Sequence, residues 1–360
     1  MAGPRARGGR PRRGDGAVTA LVPRRVAAHG RTWTVRRAWP RAAGDGADLE
    51  VTADGIVGVR AGRWCGGDVR VAEAVCDRRL PALADVAGAG EVVSWRPGRR
   101  AVVRIARGGG YAKVVREGAA EPVLAAHAAG AAFSAGFARA AVTSAPTDAA
   151  RGVVRFASLP GRTLFDLGSD RRVAEAEFAR AWNGWAEAWG MLLDGSCGEL
   201  PLHDAEAEAR VLEQWMRHAE PHLGGEASAV RRTSDRVAEE LVAGPRGRAA
   251  LAHRDLHDKQ VMWDASSRPG LLDLDTVTIA EAALDLGNLR AHVAFRAAQG
   301  RLEPSRTAVA RAAIDGVARA TGVEPDRVHA YESATRLRLG ALYLFRPAWR
   351  ELALRWLRSA

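Results

Sequence analysis

The chain has 360 residues and carries 53 Lys+Arg against 42 Asp+Glu, a formal net charge of +11. Residues 1–41 hold eleven arginines and one acid, Asp15, so +10 of that excess sits at one end and the rest is close to neutral. No apolar run is long enough to span a bilayer, and three scattered cysteines (Cys65, Cys76, Cys197) form neither a metal motif nor a disulfide framework, so no membrane partner and a cytoplasmic location are expected.

Only two of the 53 basic residues are lysines, Lys113 and Lys259. In so arginine-rich a composition, a lysine marks a place where a compact point charge serves and a planar fork does not.

In chain order, residues 1–30 mix Arg, Gly and Pro without apolar periodicity and read as a disordered Arg-rich tail. Short β-like runs at 32–35, 49–51, 56–59 and 69–71, separated by Gly and Asp, predict a small β-rich module over 31–90. Residues 91–115 read as three strands, joined by a Pro97-Gly98 turn and by Gly108-Gly109-Gly110, with Lys113 on the third. A helix over 121–137 and strands near 140–143 and 153–157 follow. Beyond Pro160-Gly161 the period lengthens to that of helices, with Trp182, Trp185 and Trp189 on one face of a segment at 171–192, and helices continue over 204–243. Short strands at 251–253, 261–263 and 271–275 precede helices over 281–298 and 303–358. The expected fold class is α+β, with a β-rich lobe at 91–158 and a mainly helical lobe at 159–360.

The chemistry concentrates in residues 251–289, LAHRDLHDKQVMWDASSRPGLLDLDTVTIAEAALDLGNL. A loop between two apolar runs presents Asp255 and, five residues on, Gln260; Asp273 arrives on a neighbouring strand. Two carboxylates and an amide oxygen are hard ligands of the kind Mg²⁺ takes alongside phosphate.

The segments HRDLHDKQ, LLDLD and EAALDLGN resemble the H-x-D-L-H-x-x-N, I-D-F/W and D-P-x-x-D-L signatures of the aminoglycoside phosphotransferase and choline kinase family, from about residue 91 to the C-terminus. The resemblance implies a protein-kinase-like bilobal fold and transfer of the γ-phosphoryl of ATP to a hydroxyl of a small molecule, with Mg²⁺. Asp255 would then receive or orient the acceptor's proton, while Gln260 and Asp273 hold the metal. Lys113 would hold the α/β-phosphates, steadied by Glu121, or by Glu117 as runner-up. Gly98 falls in the nucleotide-covering turn and Ala157 in the inter-lobe hinge, and Asp285 would order the catalytic loop. Gln260 stands where most relatives have Asn, although related sugar kinases also carry Gln there, and it keeps a second reading open: a nucleotide-binding scaffold with little turnover. Twelve acids against five arginines in 163–220 would favour a cationic acceptor, or else form the solvent faces of helices. A nucleic-acid partner has only the tail to support it.

Overall fold

The computed structural model describes residues 21–41, 46–193 and 200–359. It opens with an antiparallel five-stranded sheet, β1 (Arg25–Ala28), β2 (Arg31–Pro40), β3 (Ala47–Thr52), β4 (Arg60–Cys65) and β5 (Asp68–Val71), paired in sequential order. The first hairpin begins at Arg25, ahead of the boundary expected at residue 30; the first twenty residues of the expected tail lie outside the described ones. Along β2 the inward residues are Trp33 and Val35 and then Ala38, because a bulge between Val35 and Arg37 shifts the alternation by one. The run at 56–59, expected as a strand, is a loop. Gly55 and Gly58 hold positive φ there, and a Cβ on Gly58 would lie 2.6 Å from the Val92 carbonyl.

The next layer contains α1 (Leu83–Ala87), β6 (Gly90–Arg96), β7 (Arg100–Ile105), β8 (Tyr111–Val115), α2 (Ala120–Ala129), β9 (Ala138–Arg139), α3 (Pro146–Ala150) and β10 (Val153–Phe156). Four of these strands form an antiparallel sheet in the order β10-β8-β7-β6. Its core joins Val92, Trp95, Val103 and Val114 to Leu80 and Leu83, and also takes in Val59 and Ala61 of the first module. The helix expected to reach residue 137 ends at Ala129 and tightens into a 3₁₀ segment, Gly130–Ala135. Gly130 sits where a Cβ would come within 2.7 Å of the Leu274 side chain, so the segment presses on the loop after the predicted metal aspartate.

The larger lobe runs β11 (Arg162–Thr163), α4 (Leu164–Ser169), α5 (Glu175–Leu193), β12 (Leu202–His203), α6 (Ala205–Ala219), α7 (Ala227–Ala243), β13 (Ala249–Ala252), β14 (Val261–Trp263), β15 (Gly270–Leu271), β16 (Thr278–Glu281), α8 (Ala283–Ala298), α9 (Pro304–Ala320), α10 (Pro325–Leu344) and α11 (Arg350–Arg358). Trp182, Trp185 and Trp189 of α5 are fully buried, with Trp185 and Trp189 stacked at 6.0 Å. They are core, as the helical spacing suggests. The strand expected over 271–275 stops at Leu271, where the chain turns away. Among the described residues no helix is long and apolar enough to cross a membrane.

The first module ties the two lobes together. On one side Glu50, 2% exposed, accepts hydrogen bonds from Ser94 Oγ (3.0 Å) and the Trp95 N–H (2.9 Å) of β6. On the other, the Ala38 N–H donates to the Phe345 carbonyl (2.9 Å) and Arg346 donates to the Ala38 carbonyl (3.1 Å).

Candidate active site

A cavity of about 570 Å³ opens between the lobes. Val102, Tyr111 and Lys113 form its roof, Phe156 to Leu159 its back, and Gln260, Met262, Leu271, Asp273 and Asp275 its floor. An apolar slot with a few convergent charges at one end suits a flat ring joined to an anionic tail.

Lys113 is brought in by β8, where the inward position between Ala112 and Val114 leaves it 9% exposed. Its Nζ donates to Asp273 Oδ1 at 2.9 Å and to Asp275 Oδ2 at 2.6 Å, and Arg100 stands 3.7 Å from Asp275. Burial acts to raise the Asp273 carboxyl, but Lys113 and Arg100 outweigh it and hold the group below the usual carboxylate range. Asp275 is a functional candidate that the sequence reading missed; the D-x-D spacing in LDLD was the available signal.

Glu121, expected as the partner of Lys113, is exposed in the first turn of α2 and makes no ion pair with it. The face that α2 turns to the cavity carries His127 instead, 5.2 Å from Phe156. Desolvation, with Arg139 next, lowers the pKa of that imidazole and favours its neutral form. The counter-charge of Lys113 therefore comes from the opposite lobe rather than from the adjacent helix.

Gly98 does not line the cavity. It adopts φ +62° in the β6–β7 turn, and its N–H donates to Asp77 Oδ2 at 2.6 Å, which pins the turn to the segment following the first module. Ala157 does line the cavity, with its N–H donated to the Ala141 carbonyl. Gly110 packs against this hinge so closely that a Cβ would lie 2.4 Å from the Phe156 carbonyl, and its N–H donates to Ser158 Oγ.

The loop from His253 to Gln260 is built around a buried carboxylate. Asp285, at the start of α8, accepts the backbone N–H of His253 (2.6 Å) and of Arg254 (2.9 Å). Burial pushes its pKa up to about 6. Asn288, one turn on, donates to the Arg254 carbonyl (2.9 Å), and the fully buried His253 ring bonds the Leu272 carbonyl (2.8 Å). These contacts hold Arg254 at φ +68°, and Asp273 lies at φ +54°; both are rare for non-glycine residues and both flank the site. Asp255 follows Arg254 half-buried, with no hydrogen-bond partner among the described residues, so its carboxylate is free to receive a proton donor. Gln260 is fixed at its backbone by the His257 carbonyl (2.9 Å) and the Leu272 N–H (2.8 Å). Lys259, the second lysine, lies over the Phe165 ring at 4.1 Å, and desolvation, with Arg296, lowers its ammonium to about 8.

Among the described residues, the acids of segment 163–220 do not face the cavity as a wall. Asp170, Glu175, Glu206, Glu208, Glu213 and Glu220 are in ion pairs with arginines or His203, and among the described acids of this segment only Asp166 lines the cavity.

A β-rich lobe closed on a helical lobe over a lysine–diaspartate cleft is an α+β, protein-kinase-like architecture. The model of the phosphotransferase enzyme family matches residues 91–331, and the chain belongs to that family. Among solved structures, the chain is similar to a glucosamine kinase in complex with glucosamine, ADP and inorganic phosphate, at 17% identity, covering 91% of this chain and 93% of that one with a TM-score of 0.47. It is similar to an aminoglycoside phosphotransferase from Streptomyces rimosus at 19% identity, 67% and 90% coverage and TM-score 0.48. A choline kinase from Streptococcus pneumoniae follows at 10% identity, 77% and 97% coverage and TM-score 0.49. Comparison with curated proteins finds no match.

Proposed function

We propose that the protein moves the γ-phosphoryl group of ATP to a hydroxyl of a small hydroxylated molecule, an amine- or sugar-like acceptor. The observation that carries this reading is the meeting of Lys113, Asp273, Asp275 and Gln260 on one cavity, with the unpartnered Asp255 carboxylate in the loop that leads to it. Their donor set, two carboxylates and an amide oxygen, fits Mg²⁺, which binds through a few oxygens and keeps the rest of its shell for water and phosphate. Asp273, Gln260 and Asp275 would hold the ion, which when bound neutralises charge on the β- and γ-phosphates.

The protein's own groups then have separate tasks. Lys113 holds the α/β-phosphates, exchanging part of its present bonding to the two aspartates for phosphate oxygens. The apolar slot under Val102, against Phe156, takes the adenine ring. Asp255 aligns the acceptor hydroxyl and receives its proton as the oxygen bonds to the γ-phosphorus and the bridging oxygen leaves with ADP. A carboxylate is a weak base, so alignment supplies most of the effect.

The test is ATP consumption by purified protein with a library of hydroxylated amines and sugars. Turnover with at least one acceptor, abolished by Asp255→Ala, is expected; turnover that survives the substitution would overturn the mechanism. Stabilisation by nucleotide without Mg²⁺ dependence, and no turnover on any acceptor, would favour the scaffold reading instead.

A further inference from the structure

A glutamine at the metal-holding position poses a physical problem. Its side chain has one more rotatable bond than asparagine, so placing its oxygen costs additional rotamer entropy unless a neighbour fixes the amide. The backbone of Gln260 is already tied at both ends, to the His257 carbonyl and the Leu272 N–H, so what remains undetermined is the carboxamide alone.

His257 is the neighbour that meets it. Its Nδ1 lies 3.1 Å from the backbone N–H of Lys259 and can only accept that bond, which places the ring proton on Nε2. Nε2 in turn lies 3.4 Å from Nε2 of Gln260, the nitrogen end of its carboxamide. A ring N–H meeting an amide NH₂ would set donor against donor. The two ends of a carboxamide have the same shape, so hydrogen-bond logic puts the oxygen toward the ring. The imidazole is itself fixed: it packs against the tilted ring of His292 of α8, with centroids 4.7 Å apart and 31° between planes, and His292 is 6% exposed.

We propose that His257 is the positioning residue for Gln260: its Nε2–H donates to the carboxamide oxygen and leaves that oxygen's second lone pair for the cation. This rests on the Mg²⁺ reading of the cavity given above. It explains how the longer amide serves here, because the histidine supplies the constraint that a shorter side chain has by its length. The relationship is that of an outer partner orienting a metal ligand, where loss of the partner weakens metal binding about tenfold or more.

The experiment is Mn²⁺ binding in the presence of ADP, read from the free-Mn²⁺ electron paramagnetic resonance signal, on wild type, His257→Phe, His257→Gln, Gln260→Asn and the double variant His257→Phe/Gln260→Asn. Phenylalanine keeps a ring against His292 but has no donor, so about a tenfold loss of Mn²⁺ affinity is expected, with metal-free ADP affinity unchanged. Glutamine at 257 restores an N–H near the Nε2 position and should recover most of the loss. In the Gln260→Asn background the shorter amide no longer reaches residue 257, so His257→Phe should change nothing further. Wild-type affinity in His257→Phe, or an equal loss in both backgrounds, would overturn the inference alone. Wild-type protein that binds ADP but no Mn²⁺ would overturn the metal reading with it. Should His257→Phe not fold, the ¹⁵N spectrum of His257 in the wild-type protein decides: a proton on Nε2 supports the inference and a proton on Nδ1 defeats it.

Discussion

Lys113 and Asp275 stand 162 positions apart in the chain, on opposite lobes, and meet at 2.6 Å. With Asp273 at 2.9 Å, the ammonium sits between two carboxylates that would otherwise repel each other. Lys113→Met should therefore weaken nucleotide binding and turnover by tenfold or more, the ~1.5–3 kcal/mol expected for a hydrogen bond to a charged group. Glu121→Ala, at an exposed position, should change stability by no more than about 0.5 kcal/mol and leave nucleotide affinity alone. Calorimetric titration with nucleotide separates the two; equal losses would restore Glu121 as the lysine's partner.

Asp285 should give the activity an acidic limb. Below about pH 6 it takes up a proton, and a neutral carboxyl accepts the His253 and Arg254 N–H groups less strongly, so the loop carrying Asp255 loosens. Turnover should fall with one proton as pH drops through 6, and Asp285→Asn should remove that limb at a lower plateau. Stability should move the other way. The raised carboxyl binds its proton more tightly folded than unfolded, so this group adds stability as pH falls from about 6 toward its ordinary value near 4. Chemical denaturation across that window checks the sign.

Trp39 should act as a joint between lobes. Arg96 of β6 lies over its ring at 5.5 Å and Arg346, just after α10, at 5.6 Å. Each contact contributes about 0.5–1 kcal/mol at a partly exposed site. Trp39→Ala should lower stability by the sum of these and the lost packing, about 2–3 kcal/mol, and Trp39→Phe by clearly less. An unchanged denaturation midpoint for Trp39→Ala would show that the lobes are held without it.

Two glycines of α5 should respond with opposite signs. A Cβ on Gly184 would lie 2.2 Å from the Trp263 ring, so Gly184→Ala should cost about 1–3 kcal/mol through overpacking. Gly190 has nothing within 4 Å, so Gly190→Ala should stabilise by about 0.5–1 kcal/mol as a plain gain in helix propensity. Thermal melts of the two variants read the difference directly.

The early part of the chain shows where local pattern misleads. Residues 56–59 are apolar and β-branched, yet two positive-φ glycines bend them into a loop, and the polar stretch RAGRWC forms β4 because its partners β3 and β5 were in place to receive it. The hairpins, the Trp-bearing helix α5 and the loop from His253 to Gln260 were legible because each is specified within a few residues, by alternation, by helical period or by a compact motif.

The basicity that distinguishes this composition was likewise a local matter: nearly all of the net charge lies in residues 1–41, and the two lysines mark the roof of the cavity and the loop from His253 to Gln260. By itself the sequence determined the α+β class, the loop carrying Asp255 and Gln260, and the strand carrying Lys113. Only the tertiary structure decided which acids answer that cation. The resemblance implies Glu121 of the following helix; Asp275 and Asp273 answer Lys113 instead, because a left-handed turn at Asp273 and the closure of one lobe on the other bring them within hydrogen-bonding reach. The strength of an ion pair depends on distance through space, and separation along the chain does not enter it.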